Sequence, residues 1–216
     1  LPLRRRRVYD ARRMASSRCR AAAGLFLIAD FFYWASMYLY MPTLPGVIEA
    51  RTGSLTAVGV VVSMYGLWQA FARIPVGVAV DATGRSRHVM IGGFVLSAAG
   101  ALVLAVGRTA TVLAAGRALT GLAAATWVPM VTVFGGLFPP ERLVATTSLL
   151  AMVAAAGRLF ATFAGGFVND AAGAAMPFVL AALSALLAAA ALAAVRLPAA
   201  APKPPTMARF LALARK

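Results

Sequence analysis

The sequence predicts an all-α membrane protein of six transmembrane helices. Of its 216 residues, 62% are hydrophobic and 12% charged. The hydrophobic residues gather in six runs of membrane length, and the breaks between them hold turn-forming and basic residues. Mean hydropathy is +0.83. A soluble domain is about 45–50% apolar; a water-soluble fold could not hide the excess, whereas a bilayer solvates it.

The runs are 21–41, 55–80, 88–107, 109–138, 143–168 and 174–195. A hydrocarbon core of ~30 Å needs ~20 helical residues at ~1.5 Å each. Transmembrane strands would alternate apolar and polar side chains, and these runs, rich in Ala, Leu and Gly, do not. Pro42, Pro45 and Gly46 end the first run, Gly84 the second, Gly107 the third, Pro139 and Pro140 the fourth, and Asn169, Asp170 and Gly173 the fifth. Beyond Leu197, Pro198, Pro202, Pro204 and Pro205 read as an extended linker.

A net charge of +15 is a common mark of nucleic-acid binding. Its distribution points to a membrane instead. With both ends on one side, sixteen Lys and Arg fall on that side, eight of them in the first 20 residues, and only Arg51 and Arg108 on the other. Arg73, Arg117 and Arg158 remain inside the runs. Basic loops face the cytoplasm, so both termini are expected there, in a bacterial inner membrane. Cys19 is the only cysteine, so no intrachain disulfide or thiolate metal site can form. Met14 stands just before the first run and is a candidate start.

The second break reads Gly77-Val78-Ala79-Val80-Asp81-Ala82-Thr83-Gly84-Arg85-Ser86-Arg87. It resembles the signature loop between helices 2 and 3 of the major facilitator superfamily. Gly77, Asp81, Gly84, Arg85 and Arg87 match, and Ala82 departs from the usual basic residue. Arg117-Ala118-Leu119-Thr120-Gly121 resembles the family's Arg-x-x-x-Gly element in helix 4, which the resemblance links to proton coupling. Pro139-Pro140-Glu141-Arg142 is similar to the helix 4–5 loop, where the resemblance pairs Glu141 with Arg85, and Pro177-Phe178 is similar to the start of helix 6. In helix 5, Gly157, Gly165 and Gly166 stand in register with an antiporter motif, but Ala161 and Thr162 replace its Gly-Pro pair.

The resemblance covers roughly 21–200 and implies the N-terminal half of a transporter, built from two three-helix repeats with helices 3 and 6 outermost. The expected divisions are a basic cytoplasmic N-terminus (1–20), the six-helix half (21–197) and a Pro-rich linker (198–216) toward a second half. The signature loop is implied to lock one state through charge contacts. Independently, Gly84 permits a tight turn, Gly77 close helix approach, and the stripe Gly157, Ala161, Gly165 close packing.

Helices 3 and 6 carry no charge within the membrane, while Asp30, Arg73, Arg117 and Arg158 place one on each of the others. A charge at mid-bilayer costs ~2.5–3.5 kcal/mol on the mildest scale, so those four helices are expected to face a cavity or each other. At ~1.5 Å per residue, Arg73 and Arg117 come within reach of Asp30, and Arg158 needs another partner. Asp30 is the candidate protonatable site, the alternative being a static ion pair. Trp34 and Tyr38 share its helix face, and Tyr65, Gln69 and Arg73 share one on helix 2. These are candidate cavity-lining residues, and Tyr38 and Tyr40 are also candidates for an interfacial belt.

The lone histidine, His88, lies beside the basic loop, so neither a Ser–His pair within a span nor a His-Glu-x-x-His site can be built. The expectation is therefore not an enzyme, with no cofactor and no ATP-binding loop. The function expected is proton-coupled secondary transport of a small organic solute, outward. The alternatives are uptake of a sugar or organic acid, and a half that is inactive alone. The partners are the bilayer, the solute, protons, and a missing C-terminal half or a second copy.

Overall fold

The computed structural model describes the backbone of residues 2–195 and the side chains of residues 20–195. Eight α-helices follow one another: α1 (Pro2–Tyr38), α2 (Leu44–Thr52), α3 (Leu55–Thr83), α4 (Ser86–Val106), α5 (Ala110–Ala124), α6 (Trp127–Gly135), α7 (Leu143–Ala172) and α8 (Met176–Ala194). A 3-10 turn, Pro140–Arg142, joins α6 to α7, and no strand occurs among the described residues. Six segments are long and apolar enough to cross a membrane: Arg20–Tyr38 of α1, then α3, α4, α5 with α6, α7 and α8. Residues 2–20 and the first span form one continuous helix. The expected linker, 198–216, lies outside the described residues.

Two features depart from the expected runs. After α1 the chain does not pass straight to the next span but turns into α2, with Pro45 in the first turn, where a missing N–H costs nothing. Leu44, Val47 and Ile48 bury one face of α2, and Gly53 closes it at φ 66°. From its last turn Arg51 donates to the carbonyls of Leu104 (2.8 Å), Ala105 (3.0 Å) and Gly107 (2.6 Å). The last carbonyls of a helix lack intrahelical partners and form its negative pole, so Arg51 straps α2 onto the end of α4.

The second departure is a break in the fourth span at Ala125–Thr126, between α5 and α6. Pro129 has no N–H for the Ala125 carbonyl. The backbone tightens instead to three-residue bonds, Ala125 N–H to Leu122 (3.2 Å) and Thr126 N–H to Ala123 (3.0 Å). The buried Tyr33 hydroxyl of α1 donates to the Ala123 carbonyl at 2.6 Å and lies 3.1 Å from the Thr126 hydroxyl. Gly93 of α4 faces the break, where a β-carbon would collide with the Thr126 side chain.

The packing is symmetric in a way that the chain order hides. α1 packs on α7 and α8, α5 packs on α3 and α4, and α4 packs on α8. Exchanging the first three spans for the last three leaves this set of neighbours unchanged, so the bundle consists of two three-helix repeats. Small residues hold the closest crossings. A β-carbon on Gly157 would lie 2.7 Å from the Phe31 carbonyl oxygen, one on Gly165 would strike the Leu39 carbonyl, and Ala161 is fully buried between them. Gly121 of α5 likewise meets the Tyr65 backbone of α3. Gly166 and Gly77, expected to serve packing, face open space instead, Gly77 on the cleft between α3 and α6.

Exposure within this half differs between the helices. Only 11% of the residues of the apolar window of α3 and 22% of that of α7 are buried, against 44% for both α4 and α8. α4 and α8 pack on each other and on a second helix, whereas α3 and α7 lie mainly against one. The free sides of α3 and α7 carry Trp68, Phe71 and Ile74, and Leu159, Phe163 and Phe167.

Candidate functional site

Asp30, Trp34 and Tyr38 recur every four residues on α1 and so stack along one face of the helix. Asp30 is fully buried. Neither carboxylate oxygen has a hydrogen-bond partner among the described residues. The Trp34 indole N–H neighbours it, but the geometry falls short of a hydrogen bond. The cation whose charge acts on Asp30 is Arg158.

This corrects the expected pairing with Arg73 or Arg117. Depth along the membrane alone allowed either, but Arg117 is engaged by Tyr40 and Tyr65 and Arg73 is exposed toward the far end of α3. α1 lies against α7, which carries Arg158, while α5, which carries Arg117, lies against α3. The Arg158 guanidinium carbon sits 4.7 Å from the centre of the Trp34 ring and 5.9 Å from that of Tyr38. Trp34 meets Trp127 of α6 edge-on at 5.4 Å.

Arg117 is buried and has its own aromatic cradle. Its guanidinium carbon lies 4.6 Å from the Tyr65 ring centre and 5.9 Å from that of Tyr40, and it donates to the Tyr40 hydroxyl at 3.3 Å. A cation over a ring gains ~0.5–1 kcal/mol when exposed and ~2 or more when desolvated, which offsets part of the cost of burial. Tyr40 is fully buried and stacks on Phe178 at 5.1 Å. Tyr40 is therefore enclosed by protein and not in an interfacial belt; Tyr38 is half-buried, and both are ring partners of an arginine. Gly121 draws α3 onto α5 beside Arg117, and Gly157, adjacent to Arg158, draws α7 onto α1.

The remaining expected residues divide between this cluster and the far end of α3. Tyr65 is in the cluster. Gln69, one turn on, is half-buried, and Arg73, a further turn on, is exposed. Arg73 lines an open cleft of about 650 Å³ between α3 and α6, with Gly77, Asp81, Ser86, Pro129 and Thr132. The face predicted for Tyr65, Gln69 and Arg73 is thus split between two sites.

At the signature loop, Gly84 ends α3 with φ 64° and donates its N–H to the Val80 carbonyl at 2.9 Å. Arg87 donates to the Ala193 carbonyl in the last turn of α8. Arg85 and Glu141 are both exposed, and no ion pair joins them among the described residues. The pair implied by resemblance is not formed in this structure. An exposed pair is worth only ~0–1 kcal/mol, whereas Arg87 finds a carbonyl in the last turn of a helix, where partners within the helix are lacking. His88 is exposed at the start of α4. Among the described residues no cluster of His, Cys, Asp or Glu could hold a metal ion.

Sequence reasoning missed Tyr33, Thr126, Trp127 and Arg51. The Thr126-Trp127-Val128-Pro129 segment carried a signal, since proline inside a span frees a carbonyl that another group must satisfy. Nothing in the sequence marked Arg51 as a helix cap.

A bundle of six membrane-length helices in two equivalent triplets, with charges enclosed by aromatic rings at their centre, defines a multi-pass membrane protein of transporter architecture. The model of the Major Facilitator Superfamily matches residues 26–213, and the chain belongs to that superfamily. Its fold is similar to a crystal structure of peptide transporter POT in complex with sulfate (TM-score 0.73, 22% identity, 90% of this chain). It is equally similar to the E310Q mutant of that transporter, also with sulfate (TM-score 0.74, 20% identity, 89% of this chain). In both cases the chain spans 42% of the length of the solved transporter. No curated protein matches the sequence.

Proposed function

We propose that this chain forms the N-terminal half of a secondary active transporter that moves a small organic solute by alternating access. Proton coupling and export complete the proposal, with Asp30 as the proton-carrying group. Both termini lie in the cytoplasm, and the second half of the pathway comes from a C-terminal half or another copy. The observation that carries this reading is a fully buried carboxylate without a hydrogen-bond partner among the described residues, within the field of Arg158. A static structural ion pair would close that gap; a group that gains and loses a proton benefits from leaving it open. Arg117 and its two tyrosines support a fixed electrostatic background on the next helix pair.

Everted vesicles with an imposed pH gradient and a pH-sensitive dye test it. A panel of small organic solutes is added to vesicles bearing the protein expressed from its complete reading frame. Some solutes should dissipate the gradient with wild-type protein and none with Asp30→Asn; undiminished dissipation by the variant would falsify the coupling role. Faster solute entry into everted than into right-side-out vesicles supports export. Uptake of an organic acid is the second reading, favoured by the excess of arginine over carboxylate in the cluster.

A further inference from the structure

We propose that Arg158, held over Trp34 and Tyr38, is the receptor for the carboxylate of an organic anion, so that the transported solute is an acid with an apolar or planar body. The inference rests on the transporter reading above and specifies its substrate class.

The arginines in and around the bundle are satisfied in different ways. Arg51 spends its donors on three carbonyls, Arg87 donates to the Ala193 carbonyl, and Arg117 donates to Tyr40. Arg158 is half-buried and donates to no acceptor among the described residues. Among the described residues it meets two ring faces, and its charge acts on Asp30 and Tyr65, with no ion pair formed. A guanidinium over a ring retains five N–H donors in its own plane, a fork that matches a carboxylate in a two-bond arrangement. Leaving that fork unfilled in a low-dielectric setting is costly, and an incoming anion would fill it. Charge agrees: the cluster holds Arg117 and Arg158 against Asp30 alone. Trp127, half-buried and edge-on to the Trp34 ring that the guanidinium covers, supplies apolar surface next to that ring.

The test uses three probes of equal shape and different charge: benzoate, benzyl alcohol and benzylammonium. Binding is read from tryptophan fluorescence of the protein, expressed from its complete reading frame and held in lipid nanodiscs. Benzoate should bind saturably, benzyl alcohol at least about tenfold more weakly, and benzylammonium not at all, since charge-assisted bidentate bonds are the strong ones. Arg158→Gln should abolish benzoate binding. Should that variant fail to fold, Arg158→Lys keeps the charge without the fork and should weaken benzoate about tenfold. Preference for benzylammonium, indifference to charge, no binding of benzoate, or unchanged affinity in Arg158→Lys overturns the proposal. Benzylammonium movement in the pH-gradient vesicles would remove the anion site and leave the transporter. Benzoate binding without movement of any solute would do the reverse.

Discussion

The Arg158 guanidinium carbon lies 4.7 Å from the centre of the Trp34 ring, and Gly157, the residue before it, is what permits the approach. Without a side chain at 157, the α7 backbone reaches the Phe31 carbonyl of α1, and the arginine is delivered onto the ring one turn further along. On the equivalent pair of helices, Gly121 does the same for Arg117 and Tyr65. The arginine and the ring have changed places between the two repeats.

A double-mutant cycle should detect the first of these contacts. Trp34→Leu and Arg158→Gln, combined, are expected to show a coupling energy of ~0.5–2 kcal/mol in reversible unfolding in mixed micelles, the range of a cation on a desolvated ring. A coupling near zero would mean that the ring and the guanidinium are neighbours without mutual attraction.

The glycines of α7 are expected to separate cleanly. Gly165→Ala forces a β-carbon into the Leu39 carbonyl and should destabilise by ~1–3 kcal/mol, the usual cost of overpacking. Gly166→Ala meets open space and should leave stability unchanged or raise it by up to ~1 kcal/mol, since alanine favours helix. Thermal melts of the two variants side by side check this; equal losses would refute the packing stripe.

Removal of one hydroxyl tests the break in the fourth span. Tyr33→Phe keeps the ring against Phe94, 4.4 Å between centres, and deletes the bond to the Ala123 carbonyl. The expected cost is ~1 kcal/mol, together with faster amide hydrogen exchange confined to residues 125–128. Exchange unchanged there would show that Pro129 alone sets the break.

Arg51→Ala should loosen α2 from α4. Three carbonyl acceptors lose a charged donor; a hydrogen bond to a charged group is worth ~1.5–3 kcal/mol net, and at this half-buried site water replaces part of the set. A loss of ~2 kcal/mol is expected, with proteolysis appearing first between residues 41 and 54. Arg108→Ala, at an exposed neighbouring position, serves as the control and should change neither.

The amino-acid sequence by itself determined the solvent of this protein, the number of its spans and its family. Those properties depend on run length, hydropathy and a loop motif, all of which are local. It also announced which residues would be costly in a membrane: Asp30, Arg117 and Arg158 were legible because a lone charge in an apolar run has no ordinary explanation. Which arginine Asp30 answers to was not legible. Distance along a helix axis gives depth but not azimuth, and only the docking of α7 on α1, through Gly157, Ala161 and Gly165, brings Arg158 to it. The same reason hid the burial of Tyr40, the strap formed by Arg51 and the Tyr33 bond into the broken span: each joins residues far apart in the chain, across a helix crossing that the tertiary structure alone creates.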